Sequence, residues 1–172
     1  MRMVALETAY FASGCFWCIT PSFQEQVGVR TVTSGYSGGD EENPTYLDVK
    51  NQRTGHRETV RVEYNPEKIS FHDLMRIFLE NVDPFDGGGQ FIDRGFSYTL
   101  AVYYTNDSQK QIAGAAIRAL EAASGKPVCA ALEPFKSFWP AEEYHQDYHI
   151  KNPGAFQKEL MESGRKKAVR LN

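Results

Sequence analysis

Cys15 and Cys18, in the stretch SGCFWCITPSF (13–23), stand three residues apart with Phe16 and Trp17 between them. Two thiols at that spacing can clip a metal, form a structural disulfide, exchange with other disulfides, or work as a nucleophile with its own resolving partner. Cys15 follows Gly14, where an apolar run gives way to a helical pattern. The unpaired N–H groups and positive dipole end of a helix start favour a thiolate there. Cys18 lies one turn on, on the same face, close enough to be bridged after modest adjustment, which suits a transient disulfide. A zinc site needs four ligands and the pair supplies two. Cys129 and a histidine would have to complete it, with no second ligand pair at finger-like spacing. Cys129 itself, alone in the apolar VCAAL, reads as core. A C-x-x-C opening a helix after a strand is also the arrangement of thioredoxin-type exchange. The pair alone does not separate exchange from nucleophilic chemistry.

Four other clusters concentrate polar aromatics and carboxyls: GYSGG (35–39), NPTY (43–46), TGHRE (54–58) and PAEEYHQDY (140–148). Any one of Tyr36, Tyr46, Tyr98, Tyr144 and Tyr148 reads equally well as half-buried packing, and Glu58 as a rim carboxylate before an amphipathic strand. His145 and His149 have the i, i+4 spacing of metal ligands but lack H-E-x-x-H and a third ligand, so capping or a salt link explains them. DGGGQ (86–90) matches no phosphate-binding pattern.

The elements that must position these residues follow from periodicity. Val4 to Ala12 reads as a strand, residues 16–26 as a short helix limited by Pro21, and Val29 to Tyr36 as a strand. Residues 44–49 suit a turn or two of helix. ETVRVEY (58–64) alternates, with Val60, Val62 and Tyr64 on one face and Thr59, Arg61 and Glu63 on the other. Ser70, with Asp73 three residues on, caps a helix burying Phe71, Leu74, Met75, Phe78 and Val82. A glycine-rich loop leads to a strand at 97–105. A helix then starts at Asp107 or Ser108, carries the stripe Ile112, Ala116, Ile117 and Leu120, and ends at Gly125. A last strand covers 127–134, and a helical piece 141–148. Strand, helix, strand, strand, helix, strand is the order of a split β-α-β sandwich. The expected fold is α+β: a two-layer ferredoxin-like sandwich with a mixed sheet and an irregular C-terminal segment. Residues 1–160 are expected to form a single catalytic domain, with 161–172 a basic solvated tail.

With 172 residues, a net charge of −3 and three cysteines, the chain suits one globular domain. It lacks the basic stripe of a nucleic-acid binder and the even cysteine framework of a small secreted protein. Every apolar run breaks well before membrane length, and Glu7 interrupts any signal-like start. A reducing cytoplasm is the expected location.

Taken together, GCFW (14–17), GY (35–36), NPTY (43–46), TGHRE (54–58), Asp93 with Gly95 and Tyr98, PAEEYHQDY (140–148) and KNP (151–153) resemble one family over roughly residues 8 to 155. The chain resembles the A-type peptide methionine sulfoxide reductases, which reduce the S epimer of the sulfoxide. The resemblance implies Cys15 as nucleophile, Phe16 and Trp17 as the aromatics holding the sulfoxide methyl, and Glu58 as the acid. It implies Tyr46 and Tyr98 as hydroxyls around the sulfoxide oxygen and Asp93 as a substrate-placing residue. Such chemistry fits those residue types, because a sulfoxide oxygen leaves only when protonated or strongly hydrogen-bonded. The resemblance further implies a sulfenic acid on Cys15 and recycling by thioredoxin. It also implies a substrate that is oxidised methionine, free or in proteins, a monomer, and no cofactor or metal. Many members carry glycine where Cys18 stands and recycling cysteines near the C-terminus. Here Phe156 and Lys50 occupy positions that are cysteine in some members, which leaves Cys18 as the resolving thiol, ahead of Cys129. Arg57, the strand neighbour of Glu58, is expected to point to the opposite face.

Overall fold

The alternating segment RETVRVEY lies at the centre of the sheet. It is paired on both sides, and its Val60, Val62 and Tyr64 side chains are fully buried. The computed structural model describes residues 4–165. In chain order these form β1 (Glu7–Ser13), α1 (Phe16–Gln24), β2 (Val29–Ser37), α2 (Tyr46–Lys50), β3 (Arg57–Tyr64) and α3 (Phe71–Glu80). A two-stranded ribbon, β4 (Gly89–Gln90) and β5 (Asp93–Arg94), precedes β6 (Leu100–Tyr104), α4 (Asp107–Ser124), β7 (Ala130–Pro134) and β8 (Phe138–Pro140). After a 3-10 turn at Glu143–His145 come α5 (Tyr148–Lys151) and α6 (Pro153–Ser163).

The main sheet runs β7-β6-β1-β3-β2-β8. Its four central strands are antiparallel and alternate with α1 and α3 along the chain, which is the ferredoxin-like order expected from the split β-α-β pattern. The strand β7 makes the sheet mixed. It lies parallel to β6, and α4 supplies the crossover that a parallel neighbour requires. Both α1 and α3 cover one face. Phe11 of β1 stacks on Phe23 of α1 at 5.1 Å and on Phe71 and Phe78 of α3 at 6.0 and 5.2 Å. Each such ring pair contributes about 0.5–1.5 kcal/mol beyond area burial. On the other face Ala12, Ala101 and Tyr103 form a smaller cluster under Tyr10 and Phe135.

The helix starts show which local signals were decisive. Ser70 and Asp73 form the full reciprocal capping box at α3. At α4 the cap is Asn106, one residue earlier than expected, because its side chain reaches Gln109 N–H at 2.8 Å. The stripe expected on α4 is only half-buried, and the residues it seals against the sheet are Gln109, Ala113 and Gly114.

The C-terminal third departs most from expectation. Residues 96–98 form a 3-10 turn rather than the start of β6. Cys129 precedes β7 instead of lying inside it. It is half-buried, its N–H donating to Pro84 O at 2.7 Å and its sulfur lying against the Phe85 carbonyl. The segment 135–163 adds an edge strand and two helices. The solvated tail expected from residue 161 does not begin there: α6 continues through Ser163, and Ser163 and Arg165 are buried. Residues 166–172 of that expected tail lie outside the described residues.

Candidate active site

Sheet register brings the thiols to Glu58. The β1–β3 pairing runs from Glu7 opposite Tyr64 to Phe11 opposite Val60. Continued by two residues, it sets Ser13 opposite Glu58 and delivers Gly14 and Cys15 just beyond. Gly14 has φ +80°, and a Cβ there would meet the Gln90 side chain at 2.7 Å, so the turn needs glycine. Cys15 caps α1 and Cys18 lies in its first turn; both are reduced and 6% exposed.

The two thiols hydrogen-bond each other, and their protons are unevenly placed. The Cys15 thiol is raised well above its ordinary value by its bond to Cys18, by burial, and by the charges of Glu58 and Asp93. Cys18 is lowered, first by the bond from Cys15 and then, against burial, by Arg165. The helix-start argument, which places the thiolate on Cys15, is therefore corrected for the resting pair. Burial and two carboxyls outweigh the dipole, and Cys15 holds the proton.

Glu58 is 1% exposed, and burial pushes its carboxyl up to about 8. The Phe16 N–H donates to its Oε1 at 3.2 Å and works the other way, but burial wins. Asp93 raises it further. The neighbouring cation is turned away. Arg57 points to the opposite face and donates to Thr99 Oγ1 (2.8 Å), the Tyr103 hydroxyl (3.0 Å) and Glu133 Oε2 (2.7 Å). Glu58 is consequently a carboxylic acid, largely protonated at neutral pH, rather than a rim carboxylate.

A cavity of about 150 Å³ opens onto this pair, lined by Cys15, Trp17, Tyr46, Lys50, Glu58, Asp93, Tyr98 and Glu159. Six of the eight residues singled out from the sequence line it. Larger grooves elsewhere, such as the apolar one between α3 and α4 lined by Leu79, Val82 and Leu120, carry no thiol. Cys18 is buried and does not line the cavity. Phe16 is buried behind the wall, its ring against Tyr36, Tyr46 and His145. Successive helix residues point about 100° apart, so of the two adjacent aromatics only Trp17 lines the cavity.

That aromatic wall is held by residues whose part the sequence left open. Trp17 Nε1–H donates to His145 Nδ1 at 3.0 Å, and its ring stacks on Tyr148 at 4.0 Å. The acceptor role requires neutral imidazole, and burial lowers His145 to about 4. Glu142 accepts from the Tyr36 hydroxyl (2.8 Å) and from the Tyr46 backbone N–H (3.1 Å), fixing the start of α2. Burial raises the Tyr46 and Tyr98 phenols, with Glu58 the next cause, so both stay protonated donors. Neither hydroxyl is engaged by another described residue. Gln90 is buried and bonds to Asp83 N–H, Asp83 O and Gly89 O, which fixes the ribbon carrying Asp93. Burial raises Asp93 as well, aided by Glu159 and opposed by Arg165 and Lys50.

A family model described as peptide methionine sulfoxide reductase matches residues 7–172. The chain is 45% identical over 161 residues to the peptide methionine sulfoxide reductase MsrA of Bacillus velezensis, covering 92% of this chain and 91% of that one. The chain belongs to the peptide methionine sulfoxide reductase family. Within it the reductase is of the A type, an oxidoreductase. Among solved structures it is similar to methionine sulfoxide reductase A of Corynebacterium diphtheriae, with 32% identity, a TM-score of 0.77, and 86% and 76% of the two chains covered. The reduced form of Mxr1 from Saccharomyces cerevisiae gives a TM-score of 0.82 at 27% identity, with 87% of each chain covered. Mxr1 has also been solved in complex with Trx2, a likeness of TM-score 0.57 at 19% identity over 81% of this chain and 84% of that one.

Among the described residues no group of three His, Cys, Asp or Glu side chains gathers as a metal site, and none of the helices is long and apolar enough to cross a membrane. Cys129 lies across the glycine loop, its sulfur against Gly87, and contributes nothing to the cavity. Glu159, from α6, lines the cavity without having been singled out. A lone glutamate on an exposed-looking helix carries no sequence signal until α6 is docked.

Proposed function

We propose that this reductase converts methionine S-sulfoxide, free or in exposed protein segments, to methionine through a sulfenic acid on Cys15. The observation that carries the reading is a buried, proton-holding Glu58 sharing one small cavity with the Cys15 thiol. Trp17 takes the sulfoxide methyl against its face. Tyr46, Tyr98 and Glu58 surround the oxygen, and Asp93 helps place the substrate. The Glu58 proton passes to the sulfoxide oxygen as the Cys15 sulfur attacks the sulfoxide sulfur, and the carboxylate left on Glu58 takes up the Cys15 thiol proton. The tyrosine donors strengthen as charge gathers on oxygen. The oxygen transfers to Cys15 as S–OH, the substrate sulfur is reduced by two electrons, and the Cys15 sulfur is oxidised by two.

Cys18 then closes a disulfide with Cys15 and water leaves. An external dithiol of the thioredoxin type reopens the disulfide by exchange; the solved complex of Mxr1 with Trx2 supports a partner of that class. The work of the molecule is repair of oxidised methionine in a reducing compartment, the cytoplasm, performed as a monomer. The test is methionine release from separated sulfoxide diastereomers with dithiothreitol. The expected result is turnover of the S epimer only. Inertness towards both, with insulin disulfides reduced instead, would identify a dithiol exchanger.

A further inference from the structure

Three charged side chains line the cavity beside the reacting pair, and none is used up by the fold. Among the described residues the Lys50 ammonium and the Asp93 and Glu159 carboxyls make no hydrogen bond or ion pair, with each other or with any neighbour. Cys15 and Glu58 are buried, Asp93 and Glu159 half-buried and Lys50 exposed. The cavity therefore runs from the thiol and the acid outward past both carboxyls to a cation at the solvent side.

The fold delivers both of the outer charges. On α6 the inward stripe is Phe156, Glu159 and Ser163, three and four residues apart, and its two outer members are buried. Glu159 takes the middle place, where burial alone would select an apolar side chain. On α2, Lys50 stands one turn after Tyr46 on the same face, and its Nζ lies 5.6 Å from the centre of the Tyr46 ring. That contact steers a long, exposed side chain towards the aromatic wall.

The signs suit one kind of ligand. Glu159 and Lys50 both act on Asp93, in opposite senses, so the two carboxyls are neighbours and the ammonium stands apart from them. Neighbouring carboxyls favour a cation beside them, and an unpaired ammonium favours an anion. A methionine sulfoxide side chain with its oxygen at Glu58 directs its α-carbon outward to these groups. Inside a chain that carbon carries two neutral amides. In the free amino acid it carries one ammonium and one carboxylate.

We propose that Lys50 and Glu159 are specificity residues for free methionine S-sulfoxide, Lys50 donating to its carboxylate and Glu159, beside Asp93, accepting from its ammonium. The proposal rests on the function above and concerns which form of that substrate the cavity reads. Neither residue touches the reacting atoms. Their effect is on binding, and it raises use of the free amino acid relative to the same side chain with a blocked main chain.

Four S-sulfoxides separate the two charges: the free amino acid, its N-acetyl derivative with only the carboxylate, its amide with only the ammonium, and the N-acetyl amide with neither. For wild type, Lys50→Gln and Glu159→Gln, kcat/KM for each compound is divided by that for the N-acetyl amide. Lys50→Gln should lower the ratio for the N-acetyl derivative about three- to tenfold, the range for a charge-assisted bond in a partly exposed pair. Glu159→Gln should lower the ratio for the amide by a similar factor, and the free amino acid should lose in both variants. Lys50→Arg should keep most of the wild-type ratio. A general loss of folding or activity lowers all four compounds alike and cancels in the ratio. Ratios that stay constant, or that move together for both charges, overturn the proposal. So does an effect confined to peptides with charged neighbouring residues, which would assign Lys50 and Glu159 to the flanks of a chain. Titration calorimetry of the same compounds with Cys15→Ser should reproduce the order in Kd without turnover, and its absence there also overturns the proposal. That order found without methionine release from the wild type counts instead against the proposed function.

Discussion

Replacing Glu58 by glutamine keeps the side chain's volume and an acceptor for the Phe16 N–H while removing a buried titratable group. In the folded chain the carboxyl titrates at about 8, against an ordinary value of 4.5. Between those values the folded state holds a proton that the unfolded chain has released, so unfolding releases protons and stability falls with rising pH. The contribution is fully present below about pH 4.5 and is lost as pH rises through about 8. Each tenfold change in proton affinity is worth about 1.4 kcal/mol, so from pH 5 to 9 the loss integrates to roughly 4 kcal/mol. Urea unfolding of wild type and Glu58→Gln under reductant, at matched pH values, measures it as a difference from which the other titrating groups cancel. Glu58→Gln should gain on wild type by roughly that amount across the range. A difference that stays flat with pH would mean that Glu58 is ionised in the folded protein at neutral pH, and the proton donor would have to be sought elsewhere.

The same carboxyl shapes activity. The rate of methionine release should fall about tenfold per pH unit above about 8, where Glu58 loses its proton, and Glu58→Gln should slow that step by roughly 10²–10⁴-fold. Cys15→Ser should abolish turnover in a methionine-release assay. Cys18→Ser should release about one methionine per enzyme and then stall with thioredoxin as reductant; sustained turnover would move the resolving role to Cys129 or to a second molecule. His145→Ala removes the acceptor that fixes Trp17, a bond worth about 1 kcal/mol. It should raise KM for the sulfoxide severalfold more than it lowers kcat, and equal changes in both would place Trp17 outside the binding wall.

What the sequence made legible was local. Strand alternation turned Arg57 away from Glu58, and the structure keeps that assignment, whereas Glu58 itself read as a rim carboxylate and is buried. The order of strands and helices likewise sufficed for the β6-β1-β3-β2 arrangement of the central strands. The protonation of the thiols depends on long-range neighbours: Asp93 from the ribbon, Glu58 from β3 and Arg165 from beyond α6. No inspection of GCFWC alone reveals them. Phe16 and Trp17 read as an equivalent pair until the helix phase sends one inward. The docked C-terminal segment was hidden because α6 buries little beyond Phe156 and Ser163, too weak a stripe to announce a helix.

The account turns on oxygen passing from the substrate to one particular sulfur. The most direct measurement is mass spectrometry of Cys18→Ser after a single turnover with an S-sulfoxide peptide. One oxygen on the Cys15 peptide, equal in amount to the methionine released, is the predicted result. Methionine released with Cys15 unmodified, or the oxygen carried at Cys129, would contradict it.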